Sequence, residues 1–256
     1  MIPKATPNLV PRRRELLLTL PPSHYCERAR WALDHCGIEY DEERLAPGAH
    51  ILRVRRLPVA TTALPVLVHR DGSICQGSDL ILDWTGMPGG VPEIERRLEE
   101  KTAPLIRQCL YAGLLSDSKS GIRDVLFRVS SRPQSVIGRL TWPILRPMMV
   151  SGMNARLDVL PDLIAQVDHE LDWFDQVIFE RGDYLSGDEF GRADLTAASL
   201  LAPIASLQTE PVRGISEGIR WPVSLSSALK RWSNRSAVKW VQQVYATDRA
   251  SVWKRW

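Results

Sequence analysis

The segment from residue 65 to residue 76 constrains the fold most strongly. Two short apolar runs, residues 65–69 and 73–76, flank the pair Asp71–Gly72. An Asp–Gly pair between two strand-like runs is a favoured two-residue hairpin turn, because both residues tolerate the left-handed backbone that the turn requires. We therefore predict a β-hairpin here, directly followed by a helix that Ser78 caps and that extends through Trp84.

The residues before the hairpin alternate between strand and helix signals. Residues 15–20 form an apolar run of strand length that Pro21–Pro22 ends, and Ser23 is well placed as the N-cap of a helix. Residues 38–44 read as a second strand and residues 50–57 as a short basic helix. The predicted order is β-α-β-α-β-β-α. The first helix rests on an apolar stripe and a closing glycine, which are Cys26, Ala29, Leu33, Cys36 and Gly37.

Beyond the hairpin and its helix, no strand is compelling. Residues 93–115, 155–179 and 192–207 show the three- and four-residue apolar spacing of helices. Residues 130–152 contain three prolines, so we expect short or kinked helices there. We predict an α/β domain over residues 15–86, a Pro- and Gly-rich linker over 87–92 and an all-helical domain over 93–256. Residues 1–14 are predicted to form a flexible arm.

Composition excludes several classes of partner. The chain has 33 Lys and Arg residues against 30 Asp and Glu residues, a balance too even to indicate a nucleic-acid partner. No apolar stretch reaches the roughly 18 to 20 residues of a membrane span, and no membrane partner is expected. The cysteines form no CxxC pair, which favours a reducing cytoplasm. No metal-ligand spacing is found, so no metal is expected.

Residues 23–33 resemble the active-site turn and first helix of the cytosolic glutathione S-transferase superfamily. Zeta-class members have a serine, and omega-class members a cysteine, where Ser23 stands, followed five residues later by a basic residue. Leu64–Pro65 is similar to the family's Val-Pro-x-Leu, whose proline is cis. Residues 78–81 resemble the family's Ser-x-Ala-Ile. Residues 187–194 resemble the capping motif of a helix in its second domain, with Gly191 as N-cap and Asp194 at N3.

The resemblance implies a thioredoxin-like N-terminal domain with an all-helical C-terminal domain, and a glutathione site. Ser23 would activate the glutathione thiol through its hydroxyl and the positive end of its helix. The residue before the cis-proline, Leu64, would pair with the cysteinyl part. The implied remaining glutathione-binding residues are Pro65, Gly77 and Ser78, with His50, Arg53 or Arg56 for the glycine carboxylate. His50 has the spacing of a theta-class histidine, and an arginine fork also suits a carboxylate.

Two features qualify this assignment. The family usually has Glu or Gln where this chain has Gly77, and Gln76 is a candidate substitute. Cys26 is a rival nucleophile, although its place on the apolar stripe favours a buried, inert thiol.

Cys36, Cys75 and Cys109 are predicted to be small core residues. Residues 214–218 match GxSxG by chance, because the last histidine in the chain is His169 and a hydrolase elbow needs a later one.

The sequence thus predicts a cytoplasmic glutathione transferase that conjugates the glutathione thiolate to a hydrophobic electrophile, as in detoxification. Two alternatives remain: another glutathione-dependent enzyme (ether cleavage, isomerisation, peroxide reduction or thiol reduction), and a non-catalytic ligand- or partner-binding protein with the same fold. The family's usual two-fold assembly implies a homodimer. Residues 117–153 do not align with the family, so the electrophile stays unspecified.

Overall fold

The structure is a computed structural model that describes residues 13–128, 131–205 and 218–253. The predicted arm over residues 1–14 lies outside the described residues except for Arg13 and Arg14. The chance GxSxG match over residues 214–218 lies outside them except for Gly218.

The first part of the chain is a four-stranded mixed sheet with helices. The strands are β1 (Glu15–Thr19), β2 (Tyr40–Arg44), β3 (Val66–Val68) and β4 (Ile74–Gln76), in the order β2-β1-β3-β4. β1 pairs with β2 in parallel, and β3 is antiparallel to both β1 and β4. The helices are α1 (His24–His35), α2 (Ala49–Val54) and α3 (Ser78–Thr85). The predicted thioredoxin-like topology is confirmed.

The predicted hairpin is present, but its turn has three residues and not two. The amide of Gly72 donates to the carbonyl of His69 at 2.9 Å, and the amide of His69 donates to the carbonyl of Ser73 at 2.8 Å. Gly72 takes a positive φ of 87°. This is the geometry of a type I turn followed by a left-handed glycine. Asp71 stabilises the loop by accepting from the amide and hydroxyl of Ser73.

Helices make up the rest of the described chain. They are α4 (Pro92–Arg97), α5 (Ala103–Ser116), α6 (Ile122–Arg128), α7 (Arg132–Gly152), α8 (Leu160–Arg181), α9 (Arg192–Leu201), α10 (Val223–Trp232), α11 (Ser236–Val244) and α12 (Ala250–Trp253). The predicted helix over residues 93–115 is divided by a π-helical segment, Leu98–Thr102. Pro104 lies just after it and has no amide hydrogen, and wider π turns accommodate such a gap in the ladder.

The expectation of short or kinked helices over residues 130–152 was wrong about length. α7 is one helix of 21 residues that contains Pro143 and Pro147. Pro133 occupies the first turn, where no amide is needed. Most of α7 is exposed, so water can satisfy carbonyls that lose a partner.

The core joins the two parts of the chain. One face of the sheet packs on α2 side chains such as Val54, and the other packs on α1 through Ala29 and Leu33. The opposite side of α1, with Trp31 and Ala32, belongs to the large apolar cluster of the helical part. The cysteine prediction was partly wrong: Cys109 is buried, Cys75 is half-buried and Cys36 is exposed. Cys36 follows the last helical residue, where the stripe no longer faces the sheet.

The predicted cap of α9 is confirmed. Gly191 is the N-cap and Asp194 is the third helical residue, with no exposed surface. The Asp194 carboxylate accepts from the amides of Gly191 at 3.0 Å, Leu185 at 2.5 Å and Ser186 at 3.3 Å. It therefore holds the loop before α9 onto the helix start.

We predict that Asp194→Ala lowers the free energy of unfolding by about 2 kcal/mol, because buried amides lose a charged acceptor. Asp162→Ala is the matched control, since Asp162 is an exposed acidic residue in the first turn of α8. Its effect should stay below about 1 kcal/mol. Chemical denaturation of both variants measures the difference, and equal midpoints would contradict the role given to Asp194.

Candidate functional site

The sheet topology brings the predicted site residues to one edge. β1 ends at Thr19, shortly before Ser23, and β3 begins at Val66, directly after Pro65. Leu18 pairs with Val66, and Val66 pairs with Gln76. The end of β1, the start of β3 and the end of β4 therefore meet at the same edge. The start of α2 also lies there, because the amide of Leu45 donates to the carbonyl of Thr19 at 2.9 Å.

Ser23 is the N-cap of α1, as predicted. Its amide donates to the carbonyl of Leu20 at 3.0 Å, which fixes the turn after β1. Its Oγ accepts from the amide of Cys26 at 3.4 Å, and the side chain is half-buried. The Ser23 side chain also lies within hydrogen-bonding reach of the Cys26 thiol. The hydroxyl also lies at the positive end of a 12-residue helix.

Cys26 is fully buried one turn into α1. Its Sγ accepts from the amide of Leu20 at 3.3 Å. Burial raises the pKa of this thiol, and the nearby Arg30 guanidinium only partly opposes that effect. The predicted burial of Cys26 is confirmed, and a buried neutral thiol is a poor nucleophile.

The Leu64–Pro65 peptide bond is cis, as predicted. Pro65 is buried and Leu64 is half-buried. The carbonyl of Pro65 accepts from the amide of Gly77 at 3.1 Å, which ties the two predicted binding segments together. Gln76 makes two side-chain hydrogen bonds to the segment before the proline. Its amide nitrogen donates to the carbonyls of Thr61 and Ala63 at 3.0 and 2.9 Å, so it braces the loop before the proline.

Ser78 is the first residue of α3, and Gly77 is its N-cap, which corrects the expected cap at Ser78. The Ser78 hydroxyl does not turn back onto its own helix because it accepts from Arg28, with Nε at 3.0 Å and Nη2 at 2.7 Å. Both side chains are buried. The hydroxyl hydrogen of Ser78 is thereby directed away from Arg28.

Two carboxylates accompany this pair. Glu99 forms an ion pair with Arg28 Nη2 at 2.5 Å, and burial raises the pKa of Glu99. Asp79 lies close to Gly77, where an added Cβ would be 2.5 Å from its Oδ1. Gly77 has a φ of 112°, so glycine is favoured there for backbone reasons as well. The start of α3 therefore offers hydrogen-bond donors to an anion, but the carboxylates of Glu99 and Asp79 place negative charge beside them.

The basic candidates on α2 and just after it differ in how free they are to bind a carboxylate. The Arg53 Nε donates to both carboxylate oxygens of Glu43 at 3.1 Å, so this arginine is engaged. His50 is half-buried with its Nδ1 3.4 Å from the carbonyl of Ala46. Burial lowers the pKa of His50, which leaves it neutral near pH 7 and able to supply a hydrogen bond. Arg56 is exposed.

Sequence analysis missed His24 and Tyr25, which follow Ser23 directly. Their rings are 4.4 Å apart at the centroids, and the Arg107 guanidinium of α5 lies 5.9 Å from the Tyr25 ring. His24 is buried, and its Nε2 has no hydrogen-bond partner among the described residues. Burial, with Arg107 and Arg28 nearby, lowers the pKa of His24 to about 3. No local sequence signal distinguishes such a histidine from a surface one.

This burial predicts a pH effect on stability. Between about pH 3 and pH 6.5 the unfolded chain binds a proton at His24 and the folded chain does not, so stability falls as pH falls. Lowering the pH from 7 to 5 should cost about 2 kcal/mol through this residue. His24→Asn removes the titrating group. Denaturant unfolding at both pH values should therefore show a smaller pH dependence in the variant, and equal pH dependence would contradict the assignment.

α7 also reaches the edge of the site, which sequence analysis could not anticipate. The Gln134 Oε1 accepts from the amide of Ala46 at 2.9 Å. A Leu145 methyl lies 3.3 Å from the position that a Cβ on Gly48 would take. The unaligned region therefore covers the loop between β2 and α2.

Residues 17–85 match the family model described as "Glutathione S-transferase, N-terminal domain". This part of the chain, about a quarter of its length, is similar to that domain. The match covers β1 through α3, including Ser23, Pro65 and Ser78, and confirms the predicted resemblance to the superfamily. A comparison with curated proteins found no match.

Solved structures extend the likeness over both domains of the glutathione S-transferase fold. Glutathione transferase GSTFuA3 from Phanerochaete chrysosporium superposes with a TM-score of 0.60 at 15% identity, over 91% of this chain and 96% of that one. A theta-class glutathione S-transferase from Xanthomonas axonopodis pv. citri, with glutathione bound, gives 0.53 at 12% identity, over 88% and 95%. Glutaredoxin 2 from Salmonella typhimurium, in complex with glutathione, gives 0.50 at 15% identity, over 94% and 98%. These likenesses support the predicted fold class.

Proposed function

We propose that this protein is a glutathione transferase that conjugates the thiolate of glutathione to a hydrophobic electrophile. The observation that carries the proposal is the meeting of Ser23, Leu64–Pro65 and Ser78 at one sheet edge, with Ser23 at the start of α1. Two of the structural neighbours named above contain glutathione, according to their descriptions.

The proposed chemistry rests on this chain's own groups. Ser23 would donate its hydroxyl hydrogen to the glutathione sulfur, and the helix behind it favours negative charge, so both would lower the pKa of a thiol held there. The Leu64 backbone would pair with the cysteinyl unit. The Ser78 hydroxyl, backed by the Arg28 charge, would donate to the γ-glutamyl carboxylate. Arg28 could thus explain how the site binds glutathione with Gly77 at the position where the family has Glu or Gln.

His50 is our candidate for the glycine carboxylate, because Arg53 is engaged by Glu43. A homodimer is part of the proposal. It is supported by Leu80 and Trp84, two exposed apolar side chains one turn apart on α3. The domain boundaries at residues 86 and 92, a cytoplasmic location and a role in detoxification also stand as proposals.

A non-catalytic binding protein is the second candidate. It is favoured by Asp79, whose carboxylate next to Gly77 competes with a ligand carboxylate for the positive end of α3. Isothermal titration with glutathione, followed by turnover of an activated aryl halide, separates the two. Binding with turnover supports the transferase and contradicts the second candidate. Absence of turnover on a panel of electrophiles, whether or not glutathione binds, contradicts the transferase and supports the second candidate.

A further inference from the structure

α7 presents an unusual surface away from the candidate site. Five large apolar side chains on it are between 58% and 76% exposed: Val136, Ile137, Leu140, Ile144 and Met148. Their spacing of one, three and four residues places them within an arc of about 120° around the helix. Single exposed apolar residues are ordinary, but a stripe along a helix of about 30 Å marks an interaction surface.

The charged residues of α7 are three arginines and no acids. Arg132, Arg139 and Arg146 recur every seven residues, so they form one row along a flank of the apolar stripe. Arg139 contacts Asp124 at 2.7 Å, but both side chains are exposed, and such a pair contributes little. Arg146 Nε donates to the carbonyl of Leu115 at 2.6 Å, which leaves its charge uncompensated by that contact.

The apolar stripe and the arginine row together favour one kind of partner over the others. A second copy of the chain docked antiparallel through the same stripe would bring two rows of three arginines together, which opposes association. Insertion across a bilayer is also disfavoured, since no described helix is long and apolar enough to span one. An amphipathic helix with a basic flank suits the surface of an anionic bilayer, where the apolar side chains enter the acyl boundary and the arginines meet the headgroups.

We propose that α7 docks the protein onto anionic lipid surfaces through this apolar stripe and arginine row. This departs from the expectation that no membrane partner exists, which considered only spanning segments. Gln134 and Leu145 hold α7 against the loop over residues 46–48 from another side of the helix, so the stripe remains exposed. The docking itself does not depend on catalysis.

Flotation of the full chain with lipid vesicles tests the proposal. We expect binding to vesicles of phosphatidylcholine mixed with phosphatidylglycerol to be roughly 100-fold tighter than binding to phosphatidylcholine alone, since each arginine near the surface contributes about fivefold. Binding should weaken as salt is raised. Absence of binding to the anionic vesicles, or equal binding to both, would overturn it.

Substitutions on α7 test whether its apolar stripe is the surface that binds the vesicles. The double variant Leu140→Asp with Ile144→Asp should abolish vesicle binding while leaving the melting temperature unchanged, because both side chains are exposed. Phe179→Asp is the matched control, since Phe179 is 84% exposed on α8, and it should bind as the wild type does. Light scattering tests the alternative that a second copy of the chain covers the stripe. The proposal would be overturned if the wild type were a dimer that did not bind vesicles and the double variant were a monomer. The stripe would then be an interface between two copies of the chain.

Discussion

Replacing Ser23 with alanine is expected to lower glutathione-dependent turnover by about 10- to 1000-fold, which is about 1.4 to 4 kcal/mol of barrier. The variant loses the donor to the developing sulfur anion. It also loses the side-chain cap of α1, which should cost about 1 kcal/mol of stability. Affinity for glutathione should change little, because the proposed tripeptide contacts lie mainly at Leu64, Ser78 and His50. Steady-state kinetics with an activated aryl halide, together with titration of glutathione, measure both quantities.

Cys26→Ala is the control for this prediction. Cys26 is buried and its thiol pKa is raised by burial, so its removal should leave turnover largely intact and cost some stability through a small cavity. The reverse pattern, an inactive Cys26→Ala beside an active Ser23→Ala, would move the chemistry to Cys26 and indicate a reductase-like enzyme.

Ser23→Cys gives a third, independent readout. A thiol at the start of α1 would be held by the helix dipole, which lowers its pKa and makes it reactive. The variant should therefore gain thiol–disulfide exchange with glutathione mixed disulfides. If it gained none, the positive end of α1 would not be accessible to a substrate in the way that the Ser23 assignment requires.

Local interactions explain why part of this structure was predictable. The N-cap at Ser23, the left-handed Gly37 and the carboxylate of Asp194 at N3 depend on contacts within a few residues, and each was identified from the sequence. The hairpin turn was misjudged by one residue because Asp71–Gly72 fits both a two-residue turn and the end of a three-residue turn.

Contacts between distant residues were not predictable. Arg28 reaches Ser78, which lies 50 positions away, and so changes its expected role from a cap to a hydrogen-bonding group held by an arginine. Gln134 reaches Ala46 across 88 positions, from a region with no aligned counterpart. In both cases one side chain completes the surroundings of a motif, and only the packing of helices determines which one does.

The largest effect on stability is expected at Arg249. This arginine has no exposed surface, and it joins the C-terminal helices to α1. Its Nε donates to Glu27 at 2.9 Å and its Nη1 donates to Asp34 at 2.7 Å, while Arg30 donates to the other oxygen of Glu27 at 3.0 Å. Glu27 and Asp34 lie on the helix that Ser23 caps, so this network anchors the site-bearing helix to the second domain.

Arg249→Met should lower the free energy of unfolding by about 3 to 5 kcal/mol, because it removes a charged donor from two buried carboxylates while largely keeping the volume. Arg181→Met is the control. Arg181 pairs with Glu93 at 3.5 Å and both side chains are exposed, so its loss should cost less than about 1 kcal/mol. Equal denaturation midpoints for the two variants would show that the buried network contributes no more than a surface pair.

The loss of unfolding free energy in Arg249→Met should also depend on pH. Burial raises the pKa of Asp34, and Arg249 is the main group that opposes this effect. Without the arginine the pKa of Asp34 rises further above its value in the unfolded chain, so the folded variant takes up a proton more readily than the unfolded one does. Its stability relative to wild type should therefore improve as the pH falls from 7 to 5. Because His24 titrates alike in both proteins, it cancels in this comparison, and a deficit that grew toward pH 5 would contradict the pairing of Arg249 with Asp34.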